Sequence, residues 1–316
     1  TVNGQTVTSN SGSTSKFESS DFTANADGTL TITVNTLTYF TGITVGTKVP
    51  YAENIYVGAD KEYKTINDAL AAVRLMDRPN SERVTINVDP GDYQEMLVID
   101  VDNVTLKNTA ANPDTALINK GVNITENGVR VTSYYIHGYN YFSMTDDCKY
   151  DEEVLKTNKE NGYLSFENPG SGTTKNSYWN ATVTVRGTGF EADGIIFENS
   201  ANQYISTKEA NDVVQEWTVG GKGTRPTTAG DTSVQNKSFV ERAAAIAILG
   251  DKAYFNNCKF VGRQDTLYGA SNIRAAFNKC TAMGGTDFIF GGMVATFYKS
   301  DIMMNTSEDN NDVAYL

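Results

Sequence analysis

The fold is decided by the stretch Phe255-Asn-Asn-Cys-Lys-Phe260, which recurs as Phe277-Asn-Lys-Cys-Thr-Ala282 and again as Phe297-Tyr-Lys-Ser-Asp-Ile302. In the same register, Gln264-Asp-Thr-Leu-Tyr-Gly269 matches Thr286-Asp-Phe-Ile-Phe-Gly291. The period is about 20 residues, a length that suits one coil of a strand solenoid. No helical pattern interrupts these repeats, so the repeating unit is made of strands.

The repeat predicts a right-handed parallel β-helix, an all-β solenoid in which each coil must bury its inward face against its neighbours. Short apolar runs with turn residues between them support this interpretation: 84–88, 96–99, 104–107, 129–132, 181–185, 195–197 and 244–249. The one strong helical pattern is Thr65–Met76, where Ile66, Leu70 and Val73 share a face. We expect this helix to cap the open N-terminal end of the solenoid.

The remaining sequence falls outside the period. Residues 1–50 are rich in Thr and Ser and are predicted to form a β-rich N-terminal extension or the edge of an accessory module, which leaves 51–316 for the β-helix. Two polar stretches, 138–180 and 203–241, are predicted to be long inserted loops. Such loops often line binding sites on a rigid scaffold, and solvated decoration is the alternative.

Composition excludes several classes of protein. The chain has 316 residues with 26 Lys and Arg against 38 Asp and Glu, a net charge of -12 that gives nucleic acid no basic face to bind. No apolar run is long enough to span a bilayer. His137 is the only histidine, so a Ser-His-Asp or Cys-His site would have to be built around it, and we interpret it as an ordinary polar residue.

The three cysteines are too few and too far apart for a zinc site of the usual spacing. Cys148 stands alone, whereas Cys258 and Cys280 occupy equivalent positions of the repeat. We expect these two to stack in the interior as buried thiols rather than as a disulfide.

The repeat places Asp265 and Asp287 at equivalent positions of consecutive coils, roughly 4.8 Å apart along the backbone. Two carboxylates so close cannot both ionise freely, so one becomes an acid beside a nucleophile or base. Gln264 can donate amide hydrogens to a developing oxyanion. A repeated Asp turn without chemistry is the structural alternative. A calcium site is a third reading, although calcium needs more oxygen ligands than two.

Four segments resemble the pectin methylesterases, carbohydrate esterases of the right-handed β-helix class: Gly91–Glu95, Ala181–Ser200, Gly262–Tyr268 and Gly285–Gly291. The similarity covers the chain from about Ile55 to its end, and the last two motifs together are specific. The resemblance implies hydrolysis of galacturonate methyl esters in pectin, which gives methanol and free carboxylates. It implies no cofactor and no metal, and it implies a secreted or cell-surface protein. Low cysteine use is typical of many bacterial proteins.

The resemblance also implies roles for individual residues. Asp287 matches the family nucleophile, Asp265 the general acid and later base, and Gln264 an oxyanion donor. Tyr268 and Phe288 lie in the same motifs as candidates for sugar contact, although packing explains either one alone. A second oxyanion donor in the family is a Gln, and the matching residue here is Arg242. An arginine at this position either donates to the oxyanion or pairs with Glu241 without a catalytic role.

One departure from the family pattern stands out. The arginine that orients the nucleophile lies in a Leu-Gly-Arg-Pro-Trp type motif downstream of it, and no such motif precedes Leu316. We therefore expect a truncated or cleaved polypeptide, with a second polypeptide carrying the remaining coils as a partner beside methylated homogalacturonan. A catalytically silent carbohydrate-binding scaffold and a calcium-dependent pectate lyase are the rival functions.

Overall fold

In a computed structural model of the chain, the structure describes residues 49–79, 81–135, 181–212, 216–217, 223–236 and 242–305, together with Thr29, Thr31 and Thr33. The chain divides into two units, Thr1–Val45 and Gly46–Leu316, and every described helix and strand belongs to the second. The predicted β-rich extension lies almost wholly outside the described residues, so the boundary at residue 50 stays a prediction. The first inserted loop, His137 and Cys148 also lie outside them.

Three parallel sheets run the length of the second unit, and each sheet takes its strands in chain order. Sheet 1 contains β1 (Asn54–Val57), β2 (Val84–Val88), β5 (Val104–Asn108), β10 (Glu191–Asp193), β15 (Ala253–Asn256), β18 (Arg274–Asn278) and β21 (Val294–Tyr298). Sheet 2 contains β3 (Gly91–Tyr93), β8 (Val129–Ser133), β11 (Ile195–Asn199), β16 (Lys259–Val261), β19 (Thr281–Gly284) and β22 (Asp301–Met304). Sheet 3 contains β4 (Leu97–Ile99), β9 (Val183–Val185), β14 (Ile246–Ile248), β17 (Leu267–Gly269) and β20 (Ile289–Gly291).

The chain visits the three sheets in turn, which makes the predicted parallel β-helix. Coil 1 is β2-β3-β4, coil 2 is β5-β8-β9, coil 3 is β10-β11-β14, coil 4 is β15-β16-β17, coil 5 is β18-β19-β20, and coil 6 begins with β21-β22. Two small antiparallel pairs lie outside the coils: β6 (Leu117–Ile118) with β7 (Asn123–Ile124), and β12 (Glu216–Trp217) with β13 (Gly223–Thr224).

The repeat seen in the sequence sets the register. Phe255 pairs with Phe277 and Phe277 with Phe297, so their rings stack at centroid distances of 5.1 and 4.5 Å. Cys258 and Cys280 occupy equivalent positions of coils 4 and 5. Both are buried thiols without a disulfide, as predicted. The interior is thus a ladder of aromatic and aliphatic side chains, each covering the one in the previous coil.

The predicted helix is α1 (Ile66–Arg74), and its apolar face packs with Ile55 and Val57 of β1 in the core. Thr65 is the N-cap residue, and its hydroxyl accepts a hydrogen bond from Asp68 N at 3.0 Å. The helix ends before the predicted Met76 because Met76 forms a β-bridge with Val49. The helix therefore caps the first strand of sheet 1, as expected.

The second inserted loop is described in part. It contains α2 (Thr207–Ala210), the β12-β13 pair and a 3-10 helix (Ser233–Asn236). Among the described residues, no helix is both long enough and apolar enough to cross a membrane.

Candidate active site

The turn between sheet 2 and sheet 3 carries the predicted catalytic residues. Asp265 lies between β16 and β17, and Asp287 lies between β19 and β20. Leu267 pairs with Ile289, so the two aspartates occupy the same position of this turn in coils 4 and 5. Asp265 N donates a hydrogen bond to Thr286 O at 3.0 Å, which fixes the two turns against each other.

Both aspartates adopt left-handed backbone conformations, with φ of 59° at Asp265 and 47° at Asp287. Asp and Asn enter this region more readily than other residues with a side chain. The conformation by itself thus favours Asp at both positions, independently of any chemistry.

The two carboxylates differ in their access to water. Asp265 is 4% exposed, whereas Asp287 is exposed. Burial disfavours the charged form of a carboxyl group. Of the two aspartates, Asp287 is therefore the one whose side chain solvent reaches.

Gln264 and Arg242 lie side by side on neighbouring coils. They form an isolated parallel β-bridge, and Ala243 N donates a hydrogen bond to Gln264 O at 3.3 Å. Both side chains are half-buried. The structure thus brings Arg242, Gln264, Asp265 and Asp287 to one turn of three successive coils.

The aromatic candidates differ in accessibility. Tyr268 is half-buried on the outer face of β17, and its ring lies 5.0 Å from that of Phe290 in the next coil. Phe288 is 2% exposed and leaves little ring surface for a ligand. Phe290 is not among the residues predicted from the sequence. The repeat aligns it with Tyr268, and this alignment is the signal that identifies it.

Two buried ion pairs lie beside and within the second inserted loop. Arg130 contacts Glu198 at 3.3 Å, and Tyr204, near the start of the loop, donates to the same carboxylate at 2.8 Å. Burial raises the pKa of Glu198, and the charge of Arg130 opposes this rise. Within the loop, Arg225 forms a buried ion pair with Glu209, whose pKa burial likewise raises. Neither pair belongs to a sequence motif.

The loop also touches the catalytic coils directly. Arg263 donates to Gln235 O at 3.3 Å, and Asn305 in coil 6 donates to Gln203 Oε1 at 3.1 Å. Asn305 also donates to Gly262 O at 2.7 Å. The loop is therefore part of the wall beside the turn that carries Gln264 and Asp265.

In coil 1, at the turn between sheet 2 and sheet 3, Glu95 binds the N-terminus of α1. Its two carboxylate oxygens accept hydrogen bonds from Ile66 N and Asn67 N, each at 3.0 Å. These are the first backbone N–H groups of α1, which an anion stabilises. Burial raises the pKa of Glu95 in spite of these two hydrogen bonds. The Glu of the Gly91–Glu95 motif thus fixes the cap on the first coil.

Comparison with known proteins finds pectinesterases. Residues 205–314, which include both aspartates, match the family model described as Pectinesterase. A probable pectinesterase/pectinesterase inhibitor of Arabidopsis thaliana, number 36, is 27% identical over 248 residues, which make up 78% of this chain and 32% of that protein. A pectinesterase of Ralstonia solanacearum is 35% identical over 123 residues, 37% of this chain and 24% of that protein.

The predicted resemblance to the pectinesterase family is confirmed. The chain spans about a third or less of these two curated pectinesterases, so the activity of the whole proteins is a proposal for this one. The solved structure of Escherichia coli YbhC aligns with 85% of this chain, and the alignment covers 59% of the YbhC chain with a TM-score of 0.52. At 16% sequence identity, this likeness concerns the fold alone.

Proposed function

We propose that the chain is a carboxylic ester hydrolase that removes methyl groups from the galacturonate residues of pectin. The observation that carries the proposal is the equivalence of Asp265 and Asp287 in adjacent coils, inside the segment that matches the Pectinesterase model. The products are methanol and a free galacturonate carboxylate.

In the proposed reaction, ionised Asp287 attacks the ester carbonyl carbon and forms a tetrahedral intermediate. The amide of Gln264 donates a hydrogen bond to the oxyanion. The C–O bond to the methoxy group then breaks as protonated Asp265 gives its proton to the departing methanol. Asp265, now ionised, takes a proton from water, which attacks the acyl-enzyme, releases the galacturonate carboxylate and restores Asp287.

The unequal burial of the two aspartates supports this division of roles. A buried carboxyl group keeps its proton more readily than an exposed one, and the donor must be protonated when methanol leaves. The exposed position of Asp287 suits the group that must meet a polymer.

Neighbouring side chains take supporting roles in the proposal. We assign Arg242, whose backbone forms a β-bridge with Gln264, the role of a second donor to the oxyanion. Tyr268 and Phe290 lie in the strands that follow the two aspartates and offer ring faces for contact with sugar rings. Phe288 is 2% exposed, so we assign it packing rather than sugar contact.

The substrate sets where the protein acts. We infer that it works outside the cell, where pectin is found, on methylated homogalacturonan. Methyl-esterified stretches are uncharged, so the net charge of -12 does not repel them. The second polypeptide with further coils stays a prediction.

Methanol release tests the proposal. Incubation of the 316-residue chain with highly methylated pectin should release methanol and free carboxylates in equal amounts. Pectin de-esterified beforehand with alkali is the control and should give none. Absence of methanol above the control, or unsaturated products without methanol, would reject the proposed function.

A further inference from the structure

Asn305 directly follows β22 and lies beside the turns that carry the two aspartates. It is the residue of coil 6 that corresponds to Gly285 in coil 5 and to Arg263 in coil 4. Those two residues precede Asp287 and Asp265 by two positions each. Asn305 is half-buried, and it lies outside the four segments that resemble the family. The catalytic scheme assigns it no role.

The backbone of Asn305 is bound to coil 5. Its N–H donates a hydrogen bond to Gly284 O at 2.8 Å. The next residue of coil 5 continues this chain of contacts, because Gly285 N donates to Arg263 O at 2.6 Å. Backbone hydrogen bonds therefore join three successive coils immediately before the two aspartates.

The side chain of Asn305 reaches past coil 5 to coil 4. Its Nδ2 donates one hydrogen bond to Gly262 O at 2.7 Å and another to Gln203 Oε1 at 3.1 Å, so both amide hydrogens are used. Coil 5 presents Gly284 and Gly285 at this place, and neither has a side chain that would block the amide. Gly262 directly follows β16, where the catalytic turn of coil 4 begins, and Gln203 is a 5% exposed residue of the second inserted loop.

One side chain thus fixes the start of the catalytic turn of coil 4 against two other elements. The carbonyl oxygen of Gly262 accepts from Asn305, and the backbone turns left-handed at Asp265, three residues later. A shift at the start of so short a turn moves Gln264 and Asp265 relative to Asp287. Misplacement of a reactive group by about 1 Å costs about a hundredfold in rate.

We propose that Asn305 is a positioning residue, which holds the catalytic turns of coils 4 and 5 in their reactive arrangement without contact to the substrate. The proposal rests on the proposed function and adds to it a residue that acts through two neighbouring coils. It also gives the second inserted loop a part in the reaction, because Gln203 binds the same amide.

The kinetics of methanol release test the positioning role. Asn305→Ala removes both side-chain hydrogen bonds and keeps the backbone bond to Gly284. Its kcat should fall about tenfold to a hundredfold, whereas KM should stay near the wild-type value because Asn305 does not contact the substrate. Asn278→Ala is the matched control. Asn278 is also half-buried, and its Nδ2 donates to Asn256 Oδ1 of the neighbouring coil at 2.7 Å, but this contact lies on the outer side of sheet 1. The control should keep the wild-type kcat.

Hydrogen exchange tests the same role without substrate. In Asn305→Ala, the amide hydrogens of Asp265 and Gly285 should exchange about tenfold faster than in the wild type, the change expected for the loss of about one hydrogen bond. Mass spectrometry of the peptides that contain residues 262–268 and 284–290 measures these rates. Asn278→Ala should exchange at the wild-type rate in both peptides.

Asn305→Asp is the second variant, because it keeps the shape of the side chain and replaces both donated hydrogens with an acceptor oxygen. Its kcat should fall at least as far as that of Asn305→Ala. Both variants should unfold within a few degrees of the wild type, as measured by circular dichroism.

Unchanged exchange of the two turns in both Asn305 variants would overturn the proposal. So would a wild-type kcat in either folded variant, an equal fall of kcat in Asn278→Ala, or global unfolding of both Asn305 variants. Absence of methanol from the wild type would reject the proposed function instead, and the exchange rates would still decide whether Asn305 holds the two turns.

Discussion

Asp265 and Asp287 occupy the same left-handed position of the same turn in consecutive coils, and the first is buried while the second is exposed. The backbone hydrogen bond from Asp265 N to Thr286 O locks this arrangement. Identical backbone geometry with unequal solvent access provides two carboxyl groups of different character at one place.

Asp265→Asn separates chemistry from structure at this position. Asn adopts the left-handed conformation as readily as Asp, so the variant should fold with an unfolding midpoint within a few degrees of the wild type. Methanol release should fall by about a hundredfold or more, because the amide has no acidic proton for the leaving group. Gas chromatography of methanol and circular dichroism are the two measurements. An unfolded variant would favour the alternative of a repeated Asp turn without chemistry, and a folded variant with unchanged turnover would remove Asp265 from the mechanism.

Phe277 is the central ring of the aromatic ladder and should carry a large share of the stability. It is 1% exposed and stacks between Phe255 and Phe297. Phe277→Ala should lower the free energy of unfolding by about 3–5 kcal/mol, and Phe277→Leu by clearly less, because Leu leaves a smaller cavity. Urea unfolding measures both. Tyr298→Ala, on the exposed face of β21, is the control and should stay within about 0.5 kcal/mol of the wild type.

Arg130 and Glu198 should show strong energetic coupling. Arg130→Met leaves the buried carboxylate without its cation, which costs about 3–5 kcal/mol. The double variant Arg130→Met with Glu198→Leu should recover part of this loss, since it removes the uncompensated buried charge, whereas the two hydrogen bonds of Arg130 to Asp92 stay lost in both variants. A double-mutant cycle by chemical unfolding gives the coupling energy. Strictly additive effects would show that the contact at 3.3 Å contributes nothing.

Glu95 should make stability depend on pH. Because burial raises its pKa in the folded protein, the folded state binds more protons than the unfolded state between the two pKa values. The contribution of Glu95 to stability is therefore fully present below the ordinary pKa of Glu and is lost as the pH rises through the folded value. Glu95→Gln loses one hydrogen-bond acceptor at the start of α1, a cost of about 1 kcal/mol.

The test is the difference in unfolding free energy between the wild type and Glu95→Gln at about pH 4 and at about pH 8. The difference should be larger at the lower pH, where the wild type keeps its full advantage. Glu198 and Glu209 are present in both proteins, so their titration cancels in the comparison. A difference that grows with pH would contradict the assigned direction.

The periodic part of the structure was predictable from the sequence. The recurrence of Phe255 at Phe277 and Phe297 predicts the coil and its register, and the same repeat predicts that Asp265 lies next to Asp287. The run 84–88 coincides with β2 because it alternates buried and half-buried side chains over its whole length. These features depend on a short sequence pattern that recurs once per coil, and such a repeat is visible in the sequence itself.

Contacts between distant parts of the chain were not predictable in the same way. Glu95 reaches the N-terminus of α1 across 29 residues, and Arg130 meets Glu198 across coils 2 and 3. Short strands such as β3, which begins with Gly91 and Asp92, have no β pattern and form because the neighbouring coil offers them a partner. The difference in exposure between Asp265 and Asp287 likewise depends on what packs around the turn.

The most direct test of the account is methanol release by Asp287→Asn in the 316-residue chain, measured on methylated pectin beside the wild type. Asp301→Asn, an exposed aspartate at the start of β22 in coil 6, is the matched control for the loss of one charge. We predict methanol from the wild type and from Asp301→Asn, and none above background from a folded Asp287→Asn. Turnover by Asp287→Asn at the rate of the wild type, or no methanol from the wild type, would contradict the central claim.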